Sequence, residues 1–371
     1  MSAVLVNDLL REPTVGGRLQ TLRAEGLDDH EGLIWLLDRV EELVHDEPSL
    51  AEQLGALCVV AAEAADLPSV VARAQYWSAR VAAERGELET ALSLIDSARG
   101  WWSAAGEELS ALRTELGRMH ILDDLGRHSE AVAVGTALLQ TLPTARTADE
   151  AELLGLLEAK VLNNLGAAHS LLGSHQKALA SYAQAEAAYR RLGLDDATAE
   201  PRANRGIELL ALGRTRQALA ALSSAERAFA GSGDRLWAAK CVGYSAQAYA
   251  QLGQLGDALR VLRPAREMLK SLGADAEAAR LQLDMAGVYL AAGLSSEAHD
   301  EASAVEQQMA RAGMTHDQAA ATFTMALAAA ASGSFEEAGT ALQSAADLFT
   351  KVGDRQYQAR TLLAQADLAA D

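Results

Sequence analysis

Apolar residues recur along the chain with helical spacing, and single glycines separate segments of about fifteen helix-forming residues. No run shows the strict alternation of apolar and polar positions that a half-buried strand requires. The glycines recur at one fixed interval, which is lengthened once, between Gly126 and Gly173. They are Gly86, Gly126, Gly173, Gly213, Gly253, Gly293 and Gly333. This pattern predicts a series of helical hairpins, each turning at one of these glycines.

A second set of glycines falls half an interval behind the first and predicts the end of the second helix of each hairpin. Its members are Gly106, Gly193, Gly233, Gly273, Gly313 and Gly353. Glycine commonly ends a helix because it adopts a left-handed conformation without a Cβ clash. Asp234 and Asp354 follow two of these glycines and are predicted to cap the next helix. Pro201 and Pro264 fall inside expected helices, which predicts a kink or a late start there.

Side-chain size repeats with the glycines. Seven residues before each turn glycine stand mostly small residues, namely Ala79, Met119, Gly166, Gly206, Ala246, Ala286 and Ala326. Sixteen residues after it stand large ones, namely Trp102, Leu142, Tyr189, Phe229, Leu269, Met309 and Phe349. Small residues at fixed points allow two helix axes to approach closely, and the large ones are expected to fill the gap between successive hairpins.

Length and composition agree with a repeat array. A chain of 371 residues predicts two or more globular domains unless it grows by stacking small units. Half of the residues are hydrophobic but only 4% are aromatic, and there are six prolines, so long alanine-rich helices are favoured.

The segment "VLNNLGAAHSLLGSHQKALASYAQA" (161–185) resembles the tetratricopeptide repeats. The matching positions are Asn164, Leu165, Gly166, Gly173, Ala178, Tyr182 and Ala185. The resemblance extends over residues 27–371 and is to the 40-residue kind found in bacterial regulatory proteins. It implies an all-α, right-handed superhelical solenoid of about eight helix-turn-helix repeats. Residues 1–26 are expected to form a capping helix or irregular segment, residues 27–353 the array, and residues 354–371 a capping helix or a truncated repeat.

The charge of the chain argues against two classes of partner. There are 32 basic and 51 acidic residues, a net charge of −19, so the field of the molecule repels phosphate backbones and anionic lipids. Nucleic acid and membrane are therefore not expected as partners. The apolar run at the amino end is too short for a signal peptide, and a cytoplasmic location is expected.

The sequence offers no set of residues for catalysis or for a cofactor. Its eight histidines form no metal-binding spacing, and no glycine-rich phosphate loop is present. Cys58 and Cys241 fall at helix positions where a small buried residue is expected. The chain is thus predicted to be non-enzymatic, with no cofactor and no metal.

One stripe of side chains is a candidate binding groove. In tetratricopeptide repeats the first helix of each hairpin lines the concave surface, so the residues 13, 9, 6 and 2 positions before each turn glycine are expected there. Six of the eight positions in the first of these classes are basic, which would attract an acidic segment. The alternative is that these bases pair with nearby acids. The candidates are Arg73, Trp77, Arg80, Arg113, His120, Lys160, Asn164, Asn204, Lys240, Tyr244, Gln247 and Arg280.

Three functions fit these observations. The first is a scaffold that binds a partner protein or a peptide, with or without an acidic segment. The second is the regulatory portion of a larger signalling enzyme, because linkers such as "FAGSGDRLWAAK" (229–240) are similar to those preceding caspase-like CHAT protease domains. The third is a peptide-pheromone receptor. The identity of the partner, the face that binds it and the oligomeric state stay open.

Overall fold

The computed structural model describes residues 9–44, 47–145 and 147–370, and within them all regular structure is helical. The chain forms two compact units, Met1–Gly193 and Leu194–Asp371. Within each unit, helices that follow one another in sequence pack against one another. The all-α fold predicted from the glycine spacing is confirmed. None of the described helices combines the length and the apolar composition needed to cross a membrane.

From Val15 onward, the first unit consists of one short helix followed by helical hairpins. The helices are α1 (Val15–Ala24), α2 (His30–Leu43), α3 (Pro48–Ala64), α4 (Pro68–Glu84), α5 (Leu88–Ala104), α6 (Glu108–Asp124), α7 (His128–Thr141), α8 (Ala148–Leu171) and α9 (His175–Arg191). The extra residues of the lengthened glycine interval form the connection between α7 and α8 and extend α8, which has 24 residues.

The second unit contains further hairpins and a final single helix. The helices are α10 (Ala199–Ala211), α11 (Thr215–Ser232), α12 (Arg235–Gln251), α13 (Leu255–Ser271), α14 (Asp275–Ala291), α15 (Ser295–Ala312), α16 (Thr315–Ala331), α17 (Phe335–Val352) and α18 (Arg355–Ala370). A 3-10 helix at Asp196–Thr198 precedes α10, so Pro201 lies in the first turn of a late-starting helix. Pro264 lies inside α13, which continues through it.

Every glycine of the two predicted sets adopts the left-handed conformation, with φ between 66° and 83°. At the turn after α8, the Gly173 amide donates to the Ser170 carbonyl and the Ser174 amide donates to the His169 carbonyl, each at 2.8 Å. These bonds satisfy carbonyls that the helix end would otherwise leave without donors. Asp66 stands one repeat before Gly106 and is the one non-glycine residue with positive φ among the described residues, at 55°.

The two predicted caps are confirmed, and the packing positions are confirmed in part. The Asp234 carboxylate accepts from the Trp237 amide at 3.0 Å, and that of Asp354 from the Tyr357 amide at 2.9 Å. All seven mostly small positions before the turn glycines are buried. Among the large positions, Leu269, Met309 and Phe349 are at most 1% exposed and Tyr189 is 5% exposed. The other three, Trp102, Leu142 and Phe229, are half-buried. Side-chain size in each repeat therefore sets how closely the helices of a hairpin pack.

Candidate functional site

A cavity of about 560 Å³ opens on the first unit, and we call it the first cavity. Its walls come mainly from the first helices of successive hairpins, α2, α4, α6 and α8, with one side chain from α5. The lining residues are Glu41, Arg73, Tyr76, Trp77, Trp102, Ser110, Arg113, Thr114, Leu116, Leu153, Leu156, Leu157 and Lys160. Four of the predicted groove residues, Arg73, Trp77, Arg113 and Lys160, therefore line one cavity.

The three cations of the first cavity differ in their surroundings. Arg73 Nη2 lies 2.6 Å from a carboxylate oxygen of Asp38, so the alternative of pairing with nearby acids holds for this residue. Arg113 and Lys160 are exposed, and neither forms an ion pair with a carboxylate in the described part of the chain. Glu41 is the one acidic side chain in the lining. The lining therefore carries more basic than acidic groups, and two of its three cations, Arg113 and Lys160, form no ion pair with a described carboxylate.

Aromatic and leucine side chains supply the remaining wall. Tyr76 and Trp77 meet edge to face, with ring centroids 5.6 Å apart, and both rings are half-buried. Trp102 is also half-buried, and Leu153 is 46% exposed. A surface that combines aromatic rings with unpaired basic groups is typical of sites that anchor another protein.

A second cavity, of about 350 Å³, lies on the second unit. It is formed mainly by the first helices α12, α14 and α16 and by α18, and we call it the second cavity. Its lining comprises Ala246, Gln247, Ala250, Gln251, Leu262, Leu283, Asp284, Gly287, Val288, Leu290, Ala320, Phe323, Thr324, Leu327, Tyr357 and Arg360. Of the predicted groove residues, Gln247 is the one found here.

Two charged side chains of the second cavity lie in contrasting surroundings. Asp284 is half-buried, and its carboxylate accepts a hydrogen bond from Gln247 Nε2 at 3.2 Å. The dense protein around the carboxylate raises the pKa of Asp284 to about 7, although the Gln247 hydrogen bond opposes this shift. The Arg360 guanidinium lies 4.7 Å from the ring centroid of Tyr357 and 5.6 Å from that of Phe323.

The other candidates of the second unit have partners within it. Arg280 forms a two-point ion pair with Asp317, with N to O distances of 3.0 Å, and this contact raises the pKa of Arg280. The Lys240 ammonium lies 4.8 Å from the centroid of Trp237. Burial, followed by the nearby Asp284, raises the pKa of Tyr244. Arg280 and Lys240 are therefore engaged in contacts that do not need a ligand.

The remaining candidates, Arg80, His120, Asn164 and Asn204, line neither cavity. Conversely, the repeat pattern does not predict Tyr76, Trp102, Phe323 or Tyr357 as binding residues. It predicts that Trp102 packs between hairpins, because this residue occupies the large-residue position. The distribution of tryptophan could have indicated this surface, because three of the five tryptophans of the chain, Trp77, Trp101 and Trp102, fall in two consecutive helices.

Nothing in the described residues indicates metal or thiol chemistry. No group of three or more potential metal ligands comes together among them. Cys58 and Cys241 are buried, and burial raises the pKa of each thiol to about 12. Because the thiolate is the reactive form, both cysteines are unreactive at neutral pH. The non-enzymatic character of the chain stays a prediction.

Comparison with known proteins supports the fold. No family model and no curated protein sequence matches the chain. Among solved structures, the chain is similar to aspartyl phosphate phosphatase F from Bacillus subtilis, with a TM-score of 0.66, 10% identity and 94% coverage of each chain.

It is also similar to a STAND signal-transduction ATPase with a tetratricopeptide-repeat sensor from Pyrococcus horikoshii. There the TM-score is 0.62 and the identity 14%, and the match covers 96% of this chain but 54% of that one. A third neighbour is NprR in complex with its cognate peptide NprX, with a TM-score of 0.53, 15% identity, and coverage of 75% and 80%. Identities this low establish the fold alone. The tetratricopeptide-repeat fold expected from residues 161–185 is confirmed.

Proposed function

We propose that the chain binds a partner protein or peptide through the first cavity, and that the bound segment is acidic and carries an apolar or aromatic side chain. The observation that carries this proposal is the pair of exposed cations, Arg113 and Lys160, on the wall of an aromatic cavity in a chain of net charge −19. A local basic surface in an acidic molecule steers carboxylates toward itself. The half-buried rings of Trp77 and Trp102 supply apolar contact beside those cations.

One of the structurally similar proteins is consistent with binding of a peptide. NprR, which has a similar fold, was crystallised with a peptide, so hairpin arrays of this kind can present a peptide-binding surface. Charge on the cavity wall then selects among peptides, because an acidic segment gains attraction and a basic one meets repulsion.

The test is an affinity capture from native cell extract with three purified proteins, followed by mass spectrometry. The first is the wild type and the second carries Arg113→Glu and Lys160→Glu, which reverse both unpaired charges of the cavity. The third carries Lys177→Glu and Arg214→Glu, two exposed bases that line neither cavity. We expect one partner to be captured by the wild type and the third protein but not by the second.

A synthetic peptide from the captured partner then allows a direct measurement. Binding is expected to quench or shift the fluorescence of Trp77 and Trp102 and to weaken as ionic strength rises. Equal capture by all three proteins would place the partner surface outside the first cavity and refute the assignment.

A second candidate function is supported by the STAND neighbour, which carries its tetratricopeptide repeats as a sensor within a larger chain. The match covers 54% of that chain, so the same fold serves there as part of a larger signalling protein. For the present chain, this role predicts a reading frame that continues beyond Asp371 into an effector domain such as a CHAT protease. A stop codon at that point would remove this candidate.

The third candidate, a receptor for a peptide pheromone, is supported by the NprR complex. It predicts that a small secreted peptide, rather than a cytoplasmic protein, is retained by the purified chain. Mass spectrometry of material retained from conditioned medium distinguishes this candidate from the scaffold.

A further inference from the structure

The second cavity holds two opposite charges that are not paired with a counter-ion in the described part of the chain. Asp284 has a neutral amide, that of Gln247, as its hydrogen-bond partner. Arg360 has aromatic rings as its neighbours. Arg280 lies on the same helix as Asp284, but its guanidinium forms an ion pair with Asp317 instead. A cavity with a separated anion and cation is complementary to a ligand that itself carries both charges.

The spacing of the helices that carry the two charges places an upper limit on the length of such a ligand. Asp284 lies on α14 and Arg360 on α18, and α16 packs between these helices in the array. Packed helices lie about 8–10 Å apart, so the axes of α14 and α18 are separated by about 16–20 Å. Both side chains extend into the cavity and shorten this separation. A peptide of three or four extended residues spans about 10–14 Å, at roughly 3.5 Å per residue, and so lies within this upper limit.

The wall between the two charges is open and apolar. Gly287 lies on α14 facing the cavity, is exposed, and has no atom within 4 Å of the place where a Cβ would stand. Phe323, Leu283 and Leu327 line the same cavity. Glycine disfavours a helix interior, but here it leaves the helix backbone accessible to a ligand lying across it.

We propose that the second cavity binds a free short peptide of three or four residues with an apolar side chain, its ammonium group at Asp284 and its carboxylate at Arg360. The apolar side chain then lies over Gly287 against Phe323. The site shares no residue with the first cavity, so it does not depend on the proposed function.

Two further properties support this assignment. An arginine held over aromatic rings keeps its planar edge available for a two-point contact with a carboxylate. Asp284 forms no ion pair within the described residues, and burial raises the pKa of its carboxyl group, so a bound ammonium group would supply a charge that this site lacks.

The test is isothermal titration at pH 7.5 with Ala-Leu-Ala, Ala-Phe-Ala and Ala-Leu-Leu-Ala, each in free, amino-acetylated and carboxy-amidated form. We expect at least one free peptide to bind, and each cap to weaken its binding about tenfold, because each removes one charged contact. In Arg360→Gln, the free and amidated peptides should bind equally. In Asp284→Asn, the free and acetylated peptides should bind equally.

A cavity-filling variant tests the location. Gly287→Leu should reduce binding at least tenfold, whereas Gly256→Leu should bind as the wild type does. Gly256 is also an exposed helical glycine with open space around it, but it lies on α13 outside the cavity. Circular dichroism of both variants shows whether the fold is kept.

Three results would overturn the proposal. One is that no free peptide binds at concentrations up to about 10 mM, a range in which even weak binding is detected. The second is binding that is indifferent to acetylation but sensitive to amidation, which indicates the carboxyl end of a longer chain. The third is binding that survives Gly287→Leu, which places the peptide elsewhere.

Discussion

Replacement of Gly166 by alanine tests the packing that joins α8 to α9. A Cβ at this buried position would lie within 2.8 Å of three ring atoms of Tyr182, which is itself 3% exposed. Overpacking of this kind costs about 1–3 kcal/mol, and contact with three atoms of a buried ring places it at the upper end. The higher helix propensity of alanine offsets about 1 kcal/mol of this cost. The net expectation is a loss of about 2 kcal/mol in the free energy of unfolding.

The matched control is Gly100→Ala on α5, an exposed helical glycine with nothing within 4 Å of its would-be Cβ. Its free energy of unfolding should rise by up to about 1 kcal/mol, because alanine has a higher helix propensity than glycine. For a unit of this size, about 1 kcal/mol corresponds to a change in melting temperature of about 2–4 °C. The melting temperature followed by circular dichroism should therefore fall by about 4–8 °C for Gly166→Ala and rise slightly for Gly100→Ala.

The same change in a Tyr182→Leu protein tests whether the clash with the ring causes the loss of stability. With Tyr182→Leu, the Gly166→Ala change should lose most of its cost, because the ring that the Cβ meets is gone. If Gly166→Ala raises the melting temperature as Gly100→Ala does, close approach of α8 and α9 is not what requires a glycine here.

Three other outcomes are expected. Both cysteine thiols should resist alkylation at pH 8 in the folded protein and react in denaturant, because burial raises each pKa to about 12; fast labelling of either thiol without denaturant would contradict its burial. Asp66→Gly should raise the free energy of unfolding by about 1 kcal/mol, since φ at this residue is 55°, and an unchanged urea midpoint would show that aspartate carries no strain there. The pKa of Asp284 is raised from 3.8 to about 7, so between these values the folded state holds a proton that the unfolded state has released, and the contribution of Asp284 to stability should fall as pH rises from about 4 to about 7. The neighbouring Tyr244 and Arg280, whose pKa values are raised further above this range, do not contribute. Urea titrations at pH 5 and pH 8 should therefore show that the free energy of unfolding of Asp284→Asn, relative to that of the wild type, is higher at pH 8 than at pH 5. If it changes equally with pH in both proteins, Asp284 is not the cause of the change.

The sequence predicts most of the fold because the turns are encoded locally. A glycine such as Gly173 fixes the end of a helix through its own backbone conformation, and small residues such as Ala178 fix the packing distance through their own size. Neither effect needs knowledge of distant residues. The division of the chain after Gly193 has no such local signal, since the same glycine spacing runs through it.

The candidate site was only partly predictable, for a physical reason. Repeat position indicates which helix face a residue occupies, and the equivalent residues Arg113 and Lys160 line one cavity. It does not indicate whether a base meets an acid from another helix. Arg73 and Arg280 occupy equivalent positions and do meet one, through Asp38 and Asp317, each from a neighbouring hairpin. Such pairing depends on register between hairpins, which the spacing of glycines leaves undetermined.

The left-handed glycines also bear on how a chain like this changes length by recombination. A deletion of residues 254–293 would join Gly253 to Leu294, which reproduces the glycine-to-helix junction that Gly293 already makes with Leu294. Unequal crossing-over in steps of one whole repeat therefore leaves every junction in register, whereas a step of any other size displaces a helix end from its glycine. Gene duplication could in this way lengthen or shorten the array without inventing a new turn.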